Sequence, residues 1–492
     1  MKMRLLLGAL SILALSVTPV FAEESLEERV KRLEEALQKA QERESHNVQG
    51  ENSSPKQYPM PTGPIIDIRV GRQGEEKTSL GFGSTGSGKL IYAKPFLSAP
   101  KATIGGYVDV MYNVLSRQNL DNPSRNSFGQ QRLVPFIYAD ITDRVKFAAE
   151  IEFERGGTNA PQGPGSSGSN PVNSVSFGDG SISVEFAQLD YLINEKINIR
   201  GGLLLMPVGK FNLLHDSPLN DLVDRPMVSR IIIPSTWFEA GAGIYGTLYP
   251  SALSKIDYEV YAVNGMSQSA GGITDLGVRN ARGSVSRDRD DSKAVVGRVA
   301  FSPMLGIEIA GSGFHGQYKP SAGAIGSGTI DIFAVDWTLQ RGPFELIGEA
   351  AWTRISNNNA TGVAGNGIGP AGMFGYYIQG NYHFMPEILK RLAPSHFPDA
   401  STFTATLRWE QVDTDTDNRT TGGGNTLGNR RELDRLTVGL NFRPVEDMVF
   451  KVNWQYNTQN DNARGLVPAG DLGNASSRMD GDGFLFQAAT YF

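Results

Sequence analysis

Charged side chains of both signs, with one histidine, fall together in one stretch, residues 209–238, which holds Lys210, His215, Asp216, Asp221, Asp224, Arg225 and Arg230. Lys210, Arg225 and Arg230 set three cations against the carboxylates of Asp216, Asp221 and Asp224. Such a set shapes the field across a narrow passage and need not make or break bonds. The stretch is also rich in Leu, Ile and Val, as in Leu213-Leu214 and Ile231-Ile232-Ile233. A loop tip in water needs few of these, whereas a loop folded against an inner wall needs them. The expected role of 209–238 is therefore a pore constriction, the bland alternative being a loop packed over a rim or a subunit contact.

Other chemistry-bearing patterns are weaker. The five histidines, His46, His215, His315, His383 and His396, show no metal-ligand spacing, so no metal is expected. No G-x-S-x-G nucleophile elbow is present. Residues 83–89 (GSTGSGK) imitate a phosphate-binding loop, but Leu90 stands where the Mg²⁺-binding Ser or Thr belongs. Residues 413–417 (DTDTD) begin like a calcium loop, yet Asn418 replaces its glycine and Gly424 stands at the bidentate glutamate position. The expectation is a protein that is not an enzyme and carries no cofactor.

The elements that would position the charged stretch read as strands. From Ala102 onward the dominant period is two: residues 402–410 (TFTATLRWE), 145–154 (VKFAAEIEFE) and 436–443 (LTVGLNFR) alternate apolar with polar. About sixteen such segments of roughly ten residues follow one another, a length that lets a tilted strand cross a bilayer. Their connections alternate short and long. The short ones include 142–144, 194–196, 341–342 and 444–447; the long ones include 156–181, 209–238, 265–292, 357–372, 414–432 and 459–482. Short turns on one side and long loops on the other are the signature of an outer-membrane barrel. The fold class expected is an all-β transmembrane barrel of about sixteen antiparallel strands, over 102–492, preceded by an α-helical coiled coil. The last strand ends on aromatic Tyr491-Phe492, resembling the signal read by the barrel-assembly machinery. Loop 265–292, with Arg282, is expected to stand in water.

The N-terminal residues give an address. Lys2 and Arg4, an apolar run over 5–17 and Val20-Phe21-Ala22 read as a secretory signal peptide spanning 1–22. Leu26, Val30, Leu33, Leu37 and Ala40 form a heptad seam, so 23–44 reads as a periplasmic coiled coil that self-associates. Residues 45–101 read as a linker and a short irregular segment. The chain is exported yet holds no cysteine, so no disulfide supports it. The signal contains two of the 46 basic residues and none of the 52 acidic ones, leaving an acidic chain with no nucleic-acid character.

The stretch 211–246 (FNLLHDSPLNDLVDRPMVSRIIIPSTWFEAGAGIYG), together with 204–209 before it (LLMPVG), resembles the phosphate-selective porin O/P family. That resemblance implies a sixteen-stranded barrel, usually trimeric, whose third loop folds inside, and passage of anions such as phosphate. Parity along the strands assigns an inward basic set of Arg132, Lys146, Arg200, Arg298, Arg408, Arg435, Arg443 and Lys451. It also assigns an inward acidic set of Asp109, Glu150, Glu152, Asp257, Glu259, Glu308, Asp336, Glu345, Glu349 and Glu410. The wall is mixed in sign. The function expected is passive diffusion of small hydrophilic solutes through a water-filled pore. Expected partners are outer-membrane lipid and lipopolysaccharide, the assembly machinery and two further copies of the chain. The rival roles are an anchor displaying the coiled coil, and a barrel hydrolase.

Overall fold

The computed structural model describes residues 102–115, 126–154, 181–266, 272–274, 277–282, 292–318, 328–356, 370–417, 432–459 and 481–492. The expected signal peptide, coiled coil, linker and GSTGSGK turn lie outside the described residues, as does most of the long loops.

Along the chain the strands are β1 (Ala102–Leu115), β2 (Asn126–Asp140), β3 (Val145–Glu154), β4 (Ser181–Leu192), β5 (Asn198–Leu205), β6 (Phe238–Leu248), β7 (Lys255–Asn264), β8 (Gly272–Thr274) and β9 (Gly277–Asn280). They continue with β10 (Lys293–Met304), β11 (Ile307–Tyr318), β12 (Gly328–Arg341), β13 (Phe344–Ile355), β14 (Gly372–Phe384), β15 (Thr402–Asp413), β16 (Glu432–Val445), β17 (Met448–Gln459) and β18 (Gly481–Tyr491). Among the described residues three short helices, α1 (Lys210–Leu213), α2 (Met227–Ile231) and α3 (Glu387–Leu392), sit in connections.

Sixteen of these strands form one closed antiparallel barrel, each bonded to its neighbours in sequence, with β7 pairing β10 across the β8–β9 hairpin. Closure comes from β1 against β18, with Tyr107 opposite Tyr491, Asp109 opposite Ala489 and Leu115 opposite Gly483. The terminal Phe492 adds a backbone pair to Gly106, at 2.9 and 3.1 Å. A closed sheet leaves no edge whose amides would go unpaired in lipid.

Tight turns carry local hydrogen bonds. Thr142 Oγ1 accepts from the amides of Arg144 and Val145 at 3.2 and 3.0 Å. Asn194 Oδ1 accepts from Lys196 and Ile197 at 2.8 and 3.0 Å. The Arg341-Gly342 turn needs a left-handed residue, and Gly342 supplies it at φ 57°.

The alternation is inverted relative to a soluble protein. On β15, Leu407 and Trp409 are 54% and 43% exposed, while Arg408 and Glu410 between and beside them are 2% and 0% exposed. On β17, Phe450, Val452 and Tyr456 face outward and Lys451, Asn453, Gln455 and Asn457 are buried. A sandwich in water would bury the first set and expose the second. Apolar side chains outside and charge inside fit a sheet whose outer medium is hydrocarbon.

Outward aromatics gather in two belts. At the short-turn end Phe344, Tyr382, Phe384, Phe403 and Phe442 follow one another around β13 to β16, with ring centroids 4.8–5.9 Å apart. At the long-loop end Trp352 and Phe374 lie 5.3 Å apart, and Trp454 and Tyr456 6.2 Å. Eight residues separate Phe344 from Trp352 on β13. At a rise of about 3.4 Å and a tilt of about 40° the belts stand ~21 Å apart, close to the apolar band of such barrels.

Two connections depart from the sequence reading. The β14–β15 connection lies at the short-turn end yet carries α3, whose Ile388 and Leu392 are exposed. The described part of loop 265–292 does not stand free in water. Its β8–β9 hairpin buries Ile273 and Val278 completely, and Arg282 donates to the carbonyls of Pro234, at 3.1 Å, and Thr236. Isolated polar letters hid this, because Ile273, Val278 and Ala281 are too dispersed to show an apolar period.

Candidate functional site

Between β5 and β6 the chain turns into the barrel. Gly209 starts the turn at φ 70°, and a Cβ there would collide with the Glu349 carboxylate. Only glycine meets both demands. Its amide donates to Ser312 Oγ on β11 at 2.9 Å. The loop then divides by chemistry.

The C-terminal half is apolar. Met227, Val228, Ile231, Ile232, Ile233 and Trp237 join one buried cluster with the inward faces of β7, β10, β11 and β12 and with the β8–β9 hairpin. Trp237 packs on Phe314 with ring centroids 4.7 Å apart. Each such side chain contributes about 1.5–3 kcal/mol by leaving water. The Leu/Ile/Val content read from the sequence is used here.

The N-terminal half is polar and bonds to the far wall. One carboxylate holds both helices: Glu349 on β13 accepts from the Phe211 amide at 3.2 Å and from Ser229 Oγ at 2.6 Å. Lys210 Nζ reaches Thr338 at 2.9 Å and Glu308 at 3.1 Å. Asp221 accepts from Asn381 on β14 at 2.8 Å and Asn441 on β16 at 3.2 Å, with Arg443 at 3.6 Å. Asp224 receives Gln455 at 2.8 Å and pairs with Arg435 at 3.4 Å, while its carbonyl takes Arg408 Nη2 at 2.9 Å. The Val223 amide donates to Asn453 at 2.6 Å, and Lys451 to the Ser217 carbonyl at 2.7 Å. Met227 N meets Glu410 at 2.6 Å. These contacts span β11 to β17, so the segment crosses the lumen.

It also returns to the first strands. Ser217 Oγ donates to Asp109 and lies 3.3 Å from Arg132. Tyr491 donates to Asp216 at 2.9 Å. His215 Nε2 lies 2.9 Å from Glu185 on β4. Arg225 is buried 4.0 Å from Glu152, with its Nε and one terminal nitrogen hydrogen-bonded to no group among the described residues. Arg230 is buried at the last turn of α2.

Burial sets the electrostatics of the loop. Desolvation raises the Asp216 carboxyl above its ordinary range, against the pull of His215 and the Tyr491 hydroxyl. It raises Asp221 likewise, with Arg443 opposing. Arg282 is lowered by burial and by the nearby Arg225 charge.

The wall residues fall into two groups. Arg132, Arg298, Arg408 and Arg435 are buried, each engaged with an inward polar group: Arg132 with Asp109 and Glu152, Arg298 with Asp336 at 2.6 Å, Arg408 with Glu410 at 2.7 Å and Arg435 with Asn457 at 2.7 Å. Lys146 and Arg200 keep more exposure, pairing with Asp140 and Asp190. Together with Lys210, Glu308, Glu345 and His383 they leave the accessible inward charge near the short-turn end.

Sequence reasoning did not find Glu185 or Ser229. Both are ordinary letters in their segments, and only the barrel brings Glu185 to His215 and Ser229 to Glu349. His215 belongs with Glu150 and Glu185, three possible ligands whose atoms lie within 4.8 Å of one another. Histidine spacing along the chain could not reveal this, because the partners come from two strands and a loop.

No family model matches the chain. The resemblance of 211–246 to the phosphate-selective porin O/P family stands on its residues alone. An uncharacterized protein of Aquifex aeolicus (strain VF5) is 29% identical over 293 residues, 58% of this chain and 62% of that protein. The chain thus spans less than two thirds of that relative. Among solved structures, the Salmonella typhi OmpF complex with daunomycin is 13% identical, covering 80% of this chain and 98% of that one, with a TM-score of 0.49. The anion-selective porin from Comamonas acidovorans is 12% identical over 80% and 99%, with a TM-score of 0.47. The outer membrane channel DcaP of Acinetobacter baumannii is 13% identical over 80% and 98%, also at 0.47. The barrel rests on its own strand pairing.

Proposed function

We propose that the chain is an outer-membrane porin, a passive channel for small hydrophilic solutes narrowed by segment 209–238. One observation carries this reading: a closed sixteen-stranded barrel has its charged residues inside and its apolar residues outside, with a loop bonded across the lumen. About sixteen strands enclose more space than their own side chains fill. The loop then sets size and field. Lys210, His215, Asp216, Asp221, Asp224, Arg225 and Arg230 form the constriction, and Arg132, Lys146, Arg200, Arg298, Arg408 and Arg435 line the wall.

Its setting follows from the same reading. The apolar belt meets outer-membrane lipid and lipopolysaccharide, the chain assembles through the barrel machinery, and three copies associate through a periplasmic coiled coil at 23–44. No catalysis is assigned to it. The mixed wall suits weak ion preference, with small anions such as phosphate among the solutes.

The test is swelling of liposomes that contain the purified protein, in sugars of graded size. The reading predicts rates that fall steeply with solute size. Liposomes that do not swell in the smallest sugar, with the barrel folded, would favour the second reading, an anchor whose interior is closed. The number of strands bonded by the loop is what speaks for that rival.

A further inference from the structure

Beyond α1 the loop brings His215 against β3 and β4. His215 Nδ1 lies 2.9 Å from the Asn212 carbonyl oxygen, which can only accept. Nδ1 therefore carries the proton, and Nε2 is the atom presented to Glu185 Oε2 at 2.9 Å. A carbonyl on the far nitrogen is how proteins orient metal-binding histidines. Glu150 from β3 adds a third donor atom, all three lying within 4.8 Å of one another.

The three side chains are 3%, 0% and 2% exposed for Glu150, Glu185 and His215. Glu150 Oε1 and Glu185 Oε1 have no hydrogen-bond donor among the described residues. Buried carboxylate oxygens without a donor are costly and call for a cation or a proton. Two guanidiniums lie near: Arg132 binds Asp109, Glu152 and Glu154, and Arg225 approaches Glu152 and acts on Glu185 from farther off, yet neither donates to these two oxygens. Asp216 and Glu152 deepen the negative potential around Glu150.

We propose that Glu150, Glu185 and His215 bind one divalent transition-metal ion of zinc's class, tying the loop to the barrel wall. An imidazole among carboxylates selects such ions over Mg²⁺ and Ca²⁺, which prefer oxygen alone. A tetrahedral ion with ligands at about 2.1 Å holds them ~3.4 Å apart. The His215–Glu185 pair would open by a few tenths of an ångström, and Glu150 would close by a side-chain rotation. Water completes the fourth position. Because the ligands come from two strands and the loop, binding the ion and docking the loop are one event. The ion requires Nε2 without a proton, so protons compete with it for that atom.

The full-length protein, stripped with chelator in detergent, is titrated with ZnSO₄ and separately with MgCl₂ by calorimetry. Crystals are then measured at the zinc absorption edge. One Zn²⁺ should bind per chain, about 100-fold or more tighter than Mg²⁺. Glu150→Gln and His215→Asn should each weaken it about tenfold or more, with the anomalous peak between the three side chains. Glu150→Gln keeps the His215–Glu185 pair and its own shape, so it decides the matter if His215→Asn does not fold. Absence of saturable Zn²⁺ binding by the folded barrel, unchanged affinity in folded Glu150→Gln, or an anomalous peak elsewhere would each overturn the proposal. Binding is read without conduction, so its failure is separate from failure of the pore reading.

Discussion

Glu349 is the residue whose removal should change the channel most clearly. It accepts from Phe211 N at α1 and Ser229 Oγ at α2, so it ties two ends of the loop to one point on β13. A hydrogen bond to a charged group contributes about 1.5–3 kcal/mol. Glu349→Ala removes two, but it also removes a buried charge whose desolvation opposes docking. The low end of the sum, about 3 kcal/mol, is expected, which is ~100-fold in the equilibrium between held and released loop. Ser229→Ala removes one bond, about 1.5 kcal/mol or roughly tenfold. Asp221 and Asp224 still hold the first half of the loop, so release is local. In planar bilayers the open-channel noise should rise from wild type through Ser229→Ala to Glu349→Ala, with mean conductance increasing in the same order. Heat-modifiable gel mobility reports that the barrel is folded. A folded Glu349→Ala channel with wild-type conductance and noise would refute the view that this loop narrows the lumen.

Further outcomes follow from the same geometry. Arg225→Glu should shift the reversal potential in a KCl gradient toward cations, while Arg144→Glu in an exposed turn should leave it nearly unchanged, because charges beyond ~10 Å are screened in 0.1 M salt. Arg282→Glu should disturb conduction too, since that side chain holds the Pro234 and Thr236 carbonyls; an effect no larger than that of Arg144→Glu would count against the packed hairpin. Burial raises the Asp216 and Asp221 carboxyls, so on acidification they take up protons before exposed carboxylates do and the channel turns toward anions. Asp221→Asn should reduce that shift, read as reversal potential against pH. Leu407→Arg places a charge on the lipid face and should cost about 2–4 kcal/mol near the midplane, seen as a lower urea midpoint of the barrel.

The barrel was legible because its code is local. Period two, as in the Leu407-Arg408-Trp409-Glu410 run, marks a strand with two unlike faces, and the run of short and long connections orders the strands. Parity then assigned Arg132, Arg298 and Lys451 to the inner face. What parity does not contain is which side is wet: Leu407 outward and Arg408 inward is a fact of closure, argued from strand length and number. That segment 209–238 packs against the inner wall was legible by composition, since Ile231 to Ile233 would be wasted in water. Its partners were not. Glu349 is ten dozen residues or more from Phe211 and Ser229 in sequence, and Glu185 looks like any polar letter of an alternating strand. The β8–β9 hairpin was misread because Ile273 and Val278 are single apolar residues among polar ones, buried by the neighbouring loop and by no pattern of their own.

Single-channel recording of the purified chain in a planar bilayer bears most directly on the pore. The account predicts discrete, ohmic conductance steps whose reversal potential in a KCl gradient moves toward cations in Arg225→Glu. A folded, membrane-inserted barrel that passes no current would contradict it.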